Sequence, residues 1–537
     1  MKNSMSMFKN IINSSKCLAA MALTSFLVLG ASCSDDKDSE NNSWEVSGNQ
    51  IVNIKPERYN LQRNPMQGWV IYAGIGDGLM DNFWELYDNF ESSDGKVKVS
   101  DYGTTLYVRG AWSDFNPEEN VYVWQDQCNT KPAQRFKMLL KGAKERNLKV
   151  AFTFVTDSRD KHYNFTPAFV KEAGAAGFMA TTGSVQVWSP YPDDPVFQRY
   201  YEKFLRDFGA QYDDPEITQF VSGFGLGKWG ETHTLKYSTG DASPREAVFE
   251  WITDLMVDIF KRVPIMINYH RCLLNINETA DSGLDKSEEL IDRAVKKGFC
   301  LRHDAFGMKS YYKDWERGIA TKYRYQTAFV MEGGWVESSH GGSIKGDGYN
   351  NFAEVRLGEY NEAKGANVNM MDLRFSSNVN TGETHSWFNT AFHLVKEFIS
   401  EGGYRLYPDQ ISAPSQVSAG GSATFVHRWS NLGWGYCPTN IPQWNQKYKV
   451  CFALLNSNGD AVYRFVDETP KINEWVKGSP KTYRTTISLN GVSAGQYTWG
   501  VGLVDTQKNN EIGIEISARA EHLTSSGWLK IADVTVR

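Results

Sequence analysis

The sequence predicts an α/β protein, a TIM-type (β/α)8 barrel followed by a C-terminal immunoglobulin-like β-sandwich. Three observations carry that prediction. Between about residues 66 and 405, short apolar β-type runs alternate with amphipathic helical stretches, as parallel strands joined by helical crossovers require. The runs number eight, which is what closes such a barrel. After Gly402-Gly403 the helical period disappears, and short β-like runs follow one another to the end of the chain.

The first segment reads as an address. Lys2, Lys9 and Lys16 precede an apolar run from Leu18 to Ser32, too short for a comfortable membrane span and typical of a signal-peptide core. It ends in Leu29-Gly30-Ala31-Ser32-Cys33, which resembles a lipoprotein signal cleaved before Cys33, with Gly30 where the usual motif has Leu. The acidic Ser34-Asp35-Asp36-Lys37-Asp38 looks like the export tag of Bacteroidetes surface lipoproteins. The resemblance implies lipidation of Cys33 and a place at the cell surface or on the periplasmic face of the outer membrane; a plain secretory signal with a chance cysteine is the alternative. The expected divisions are a signal peptide over 1–32, a flexible tether over 33–50, the barrel over 51–405 and the sandwich over 406–537.

The eight expected strands are Trp69–Tyr72, Thr105–Arg109, Lys149–Thr156, Phe220–Leu226, Pro264–Tyr269, Cys300–Ala305, Thr327–Glu332 and Asn367–Arg374. Between them, Ala133–Arg146, Phe197–Gln211, Ala247–Val263, Ser287–Lys297 and Phe352–Lys364 carry apolar stripes at helical spacing. The stretch 157–195 interrupts the rhythm, and a connection that long is usually functional. With Tyr163, Phe165, Trp188 and Tyr191 it reads as a wall or lid, which favours a closed pocket and attack at chain ends. In the last region, seven β-like runs (422–430, 447–455, 461–466, 481–489, 495–504, 511–518 and 528–536) suggest the sandwich, either as a buttress to the barrel or as a glycan-binding surface through Trp429, Trp434, Trp444 or Trp475.

Composition bounds the function. With 57 basic and 63 acidic residues the net charge is −6, so no polyanion-binding surface of the kind nucleic acid needs is expected. Past Cys33, five cysteines remain in some 500 residues, which is no disulfide framework, although Cys437 and Cys451 could pair. No CxxC pair, HExxH motif or phosphate-binding glycine loop occurs, so no metal and no cofactor is expected. The aromatic content is high, at 17 Trp, 26 Tyr and 29 Phe. Those rings can fill cores or stack on a ligand.

A barrel enzyme works at the C-terminal ends of its strands. Arg109, Asp157, Gly227-Lys228-Trp229-Gly230-Glu231, Asn268-Tyr269-His270-Arg271, His303-Asp304, Glu332-Gly333-Gly334-Trp335-Val336-Glu337, Asp372 and Arg374 fall there. That collection offers paired-carboxylate chemistry, which glycosidic cleavage needs: one carboxylic acid protonates the leaving oxygen and a second carboxylate attacks the anomeric carbon or activates water. Glu231 after strand four and Glu332 at the end of strand seven can face each other across the ring. Arg109, Trp229, Tyr269, His270, His303, Asp304, Trp335, Glu337, Asp372 and Arg374 are the candidate substrate-binding residues. His303 and Asp304 read as an orienting pair, and Asp304, Glu337 and Asp372 as reserve carboxylates.

Residues 105–124, Thr-Leu-Tyr-Val-Arg-Gly-Ala-Trp-Ser-Asp-Phe-Asn-Pro-Glu-Glu-Asn-Val-Tyr-Val-Trp, resemble the second strand and loop of clan A glycoside hydrolases. Asn64-Pro65-Met66-Gln67-Gly68-Trp69, the Gly-Lys-Trp-Gly-Glu of 227–231 and the final β-rich region are similar to a Bacteroidetes family of barrel-plus-sandwich lipoproteins, glycoside hydrolases or domains of unassigned role. The resemblance covers about residues 60–537 and implies acid/base work for Glu231, a nucleophile in Glu332, and an oligosaccharide or polysaccharide substrate. It departs at Gly230, where the clan usually has Asn. That departure supports a second expectation, a carbohydrate-binding lipoprotein that has kept the barrel and lost the chemistry. A third is an adhesion lipoprotein acting through its sandwich.

Overall fold

The eight expected strands close into one parallel barrel: β1 (Gly68–Gly74), β2 (Gly103–Ala111), β3 (Lys149–Val155), β4 (Thr218–Ser222), β5 (Ile265–Asn268), β6 (Cys300–Phe306), β7 (Phe329–Gly333) and β8 (Met370–Asp372). Each pairs with its sequence neighbours, and β8 closes on β1 through Met370–Gly68 and Asp372–Val70. The computed structural model describes residues 44–76, 80–159, 161–276, 284–308, 311–334 and 348–537. The expected signal and Cys33 lie outside them. Among the described residues no helix is long and apolar enough to cross a membrane.

Side-chain alternation builds two cores. Trp69 and Ile71 of β1 point outward; the Trp69 ring packs 4.9 Å from Trp387 and from Phe398 on the surrounding helices. Val70, Tyr72, Tyr107, Ala151, Phe220, Met266, Cys300, Val330 and Met370 occupy the alternate, inward positions and fill the barrel. The helical stripes of the sequence form helices with stop and start signals in place. Thr130 caps Lys131–Glu145 by accepting from Ala133 N, and Asp194 caps Pro195–Tyr212 by accepting from Phe197 N, each helix carrying proline in its first turn. Phe136, Phe204 and Phe208 face the barrel wall as packing residues.

β4 is shorter than the expected Phe220–Leu226. Gly223, Gly225 and Gly227 all adopt left-handed backbone, with φ of 68°, 74° and 72°, so the strand cannot continue past Ser222. The long stretch 157–195 folds into a short helix, Ala168–Glu172, and a hairpin of Gly177–Thr182 with Val185–Pro190.

The C-terminal region forms two sheets. One holds four strands, in the order Asn49–Asn53, Leu406–Pro414, Ser422–Asn431 and Lys481–Ser488; the other holds six, with Tyr448–Leu455 and Gly495–Asp505 at its centre. Asn49–Asn53 overlaps the end of the expected tether and belongs to this unit, paired antiparallel with Leu406–Pro414, itself a strand absent from the seven expected β-like runs, which begin at residue 422. Cys437 and Cys451 do not pair; both are free, buried thiols.

This unit closes the N-terminal end of the barrel. Trp434 Nε1 donates to Val368 O at 2.9 Å, Asn369 Nδ2 to Tyr436 O at 2.8 Å, and Asn440 Nδ2 to Gln326 O at 2.8 Å, all just ahead of β7 and β8. Trp429, Trp444 and Trp475 are buried in a core continuous with the barrel interior, which rules them out as an exposed glycan platform. The opposite, C-terminal end of the barrel is left for loops.

His427 shows how tightly the core of the two-sheet unit is matched. Its Nδ1 accepts from Trp429 Nε1 at 2.9 Å and its Nε2 lies 3.1 Å from Asp467 Oδ2, so the neutral ring is satisfied at both nitrogens. Burial lowers its pKa, against the pull of Asp467. Because the folded value lies below the unfolded one of about 6.5, the unfolded chain takes up a proton that the folded ring refuses, and stability falls as pH drops through that value, by up to about 1.4 kcal/mol per pH unit. Melting curves over about pH 8 to 5 should fall more steeply for the native chain than for His427→Gln. Parallel curves would count against this assignment.

Candidate active site

The inward positions that carry the barrel core continue upward as polar residues. Above a floor of Tyr72, Tyr107 and Phe220 stand Arg109 on β2, Arg302 and Asp304 on β6, Glu332 on β7, and Asp372 at the end of β8. The Arg302 guanidinium lies 4.6 Å over the Tyr107 ring, and that of Arg374 5.3 Å over Tyr72.

Glu332 is the centre of this layer and is only 1% exposed. Arg302 and Arg374 form ion pairs with its two oxygens, and Arg109 Nη1 lies 3.9 Å from Oε1. Asp372 sits beneath, with Oδ2 3.7 Å from Arg302 Nη2 and Oδ1 accepting from Arg374 N at 2.5 Å, which holds Arg374 in a left-handed turn. Burial pushes the Asp372 carboxyl up to about 7, although Arg302 and Arg109 pull the other way. Arg302 was not among the expected site residues. The signal was available: it stands two residues before Asp304, on the same face of the same strand.

Glu231 reaches the site from the loop after β4. That loop is unusually rich in left-handed residues, and besides its glycines Trp229, Thr232 and Thr234 have φ of 60°, 65° and 44°. For β-branched threonine this is a sparsely populated conformation that the surroundings must enforce. Arg109 provides part of that enforcement: Nη1 donates to Glu231 Oε1 at 2.9 Å, and Nη2 donates to the Trp229 carbonyl. Burial, and then the nearby Asp304 carboxylate, push the Glu231 carboxyl above its ordinary range. Gly230 has a steric reason. At φ 74° a Cβ would meet Phe154 O at 2.9 Å and Val155 Cγ2 at 3.2 Å, so the Asn of the clan A pattern has no room here.

Glu231 and Glu332 therefore share one guanidinium nitrogen, at 2.9 and 3.9 Å. Their two oxygens can be no farther apart than those distances laid end to end.

Beside Glu231 lies a second cluster. Asp304 is flanked by two imidazoles, with His233 Nε2 3.1 Å from Oδ2 and His270 Nε2 3.0 Å from Oδ1. His233 Nε2 is also 3.7 Å from Glu231 Oε2. Burial alone would raise the Asp304 carboxyl; His270 and His233 outweigh it and hold the group well below the usual carboxylate range. Burial likewise opposes charge on His233, but Asp304 overrides it and raises the imidazole well above its ordinary value. His233 was missed in the sequence, two residues after Glu231, because the loop's repeated left-handed turns bring both side chains to one place.

The expected His303–Asp304 orienting pair is corrected. The His303 Nδ1 contact is to the backbone carbonyl of Asp304, at 2.6 Å, and its ring packs outward against Tyr269 and Tyr312. Burial lowers its pKa to about 3, so the ring is neutral. Tyr269 is corrected likewise: it is wholly buried against His303 and Phe329, and offers no face to a ligand. Trp229 is partly exposed, edge-on to His233 with Lys228 Nζ 4.2 Å over its ring. Trp335 and Glu337 lie outside the described residues. On the β3 side, Tyr163 packs on Phe165 and donates to Asp114 Oδ2 at 2.9 Å.

No family model matches the chain, and no curated protein matches it. Solved structures that are similar include endo-glycoceramidase II from Rhodococcus sp. (10% identity, TM-score 0.38, 81% of this chain and 99% of that one). Others are the catalytic domain of β-amylase from Paenibacillus polymyxa (10%, 0.39, 63% and 98%) and xylanase 10B from Thermotoga maritima (12%, 0.35, 62% and 95%). Fits this loose carry no residue correspondence and no argument about the reaction.

The packing around Gly230 yields a prediction. Gly230→Ala should lower unfolding stability by about 2 kcal/mol or more, combining left-handed strain with contact against the Phe154 carbonyl. Denaturant titration measures it, and unchanged stability would show that the loop can move aside.

Proposed function

We propose that this chain is a glycoside hydrolase of the clan A type that cleaves a complex glycan by a retaining, two-carboxylate mechanism. The observation that carries the reading is the pair Glu231 and Glu332, buried at the C-terminal end of a closed barrel and joined by the Arg109 guanidinium. The upper bound on their separation admits the roughly 5–5.5 Å of a retaining pair and excludes most of the roughly 6.5–9.5 Å range of inverting pairs. In this mechanism Glu231 gives its proton to the glycosidic oxygen as the bond to the anomeric carbon breaks. Glu332 attacks that carbon and forms a glycosyl ester. Water, giving its proton to Glu231, then hydrolyses the ester and restores both groups. Arg302 and Arg374 orient Glu332, and Trp229 offers a ring face to the sugar.

The amino-terminal sequence supports lipid attachment at Cys33 and display at the outer membrane, with the C-terminal two-sheet unit, immunoglobulin-like in its expected strands, serving as a buttress. One observation favours the second reading, a carbohydrate-binding lipoprotein without chemistry. Glu332 is 1% exposed, with both oxygens already paired to arginine.

A panel of oligosaccharides and aryl glycosides separates the two. The hydrolase reading predicts products, first formed with retained anomeric configuration by NMR. It also predicts that Glu231→Gln loses about 10²–10⁴-fold in turnover with natural leaving groups and less with activated aryl ones. Glycan binding without products would favour the second reading, and full activity in both Glu231→Gln and Glu332→Gln would remove the assignment.

A further inference from the structure

The cluster on the other side of Glu231 has no part in that mechanism. His233, His270 and Asp304 come from three neighbouring segments, the loop after β4, the end of β5 and the end of β6, and all three are buried. One donor atom from each lies within 4.8 Å of the others. The simple account is a carboxylate hydrogen-bonded to two imidazoles, and it fits only half of the cluster. His233 Nε2 and Asp304 Oδ2 do make a hydrogen bond at 3.1 Å. His270 Nε2 and Asp304 Oδ1, 3.0 Å apart, do not: each remains a buried polar atom without a hydrogen-bond partner. Two buried polar atoms left at contact distance without a hydrogen bond are poorly compensated, and a cation held by both would satisfy them.

The geometry points to a divalent transition-metal ion of the zinc class, held by His233, His270 and Asp304. Two imidazoles and one carboxylate are the three-ligand set of open catalytic zinc sites, and nitrogen donors select against calcium and magnesium. Around an ion about 2.0–2.2 Å from each donor, the donors stand about 3.3–3.6 Å apart. The two contacts to Asp304, at 3.1 and 3.0 Å, are within a few tenths of an ångström of that spacing, and donors that now lie as much as 4.8 Å apart would draw together around the ion. Glu231 Oε2, 3.7 Å from His233 Nε2, borders the remaining position, where a water or a substrate hydroxyl would bind. The inference goes beyond the hydrolase reading and does not depend on it, since occupancy is measured without substrate.

The test uses the full chain stripped with chelator, then titrated with Zn²⁺ by calorimetry and with Co²⁺ by visible absorption. We expect one equivalent per chain and cobalt bands of a four- or five-coordinate nitrogen/oxygen site. Affinity should fall at least about 100-fold in His270→Ala and Asp304→Asn, since loss of even an outer-shell partner typically costs 10–100-fold. It should be unchanged in His522→Ala, which removes an exposed histidine of the sandwich. No uptake by the native chain, or uptake that survives both ligand substitutions in folded protein, would overturn the site. The native chain's stoichiometry decides even if a variant fails to fold. Loss of glycan cleavage with metal uptake intact would instead indict the hydrolase reading.

Discussion

The structure depends on a buried charge balance. Glu332 sits inside the barrel with almost no exposure, and such a carboxylate is tolerable only because Arg109, Arg302 and Arg374 converge on it. Taking one partner from a buried ion pair costs about 3–5 kcal/mol, because the remaining charge stays in a poor dielectric. The aromatic floor completes the arrangement: Tyr107 and Tyr72 lie under two of the guanidiniums. Arg109 links this centre to the loop after β4, since the same side chain bonds Glu231 and the Trp229 carbonyl. Ion pairing in the barrel and backbone conformation in the loop are thus one constraint.

The fold was legible where local pattern and tertiary role agree. Eight apolar runs gave eight barrel strands, because each strand is buried on both faces and reads as continuous hydrophobicity. What escaped was non-local. Asn49–Asn53 is short and largely polar, and becomes a strand only because Leu406–Pro414 offers an edge. The end of β4 was set four residues too late, since apolar Phe224 and Leu226 mask glycines whose left-handed conformation ends the strand.

The site was legible at the level of which strand ends carry polar residues. Sequence position could not say which way each side chain turns. His303 and Tyr269 fall at the right height in the barrel and face the helices, while Arg302 and Asp304, on either side of His303, face inward. Period-2 alternation, applied from Cys300 onward, would have separated them. His233 was hidden for a different reason: a loop with φ positive at seven places between Gly223 and Thr234 has no period to read. The high aromatic content resolves along the same lines, with most rings in the two cores and Trp229 left beside the carboxylates.

The central claim is that Glu332, held by its arginines, forms the covalent bond to the sugar. Chemical rescue tests it most directly. Glu332→Ala should be inactive on an activated aryl glycoside that the native chain cleaves, and added azide should restore turnover and yield a glycosyl azide of inverted configuration. Unimpaired cleavage by Glu332→Ala, or rescue giving only the free sugar, would contradict the account.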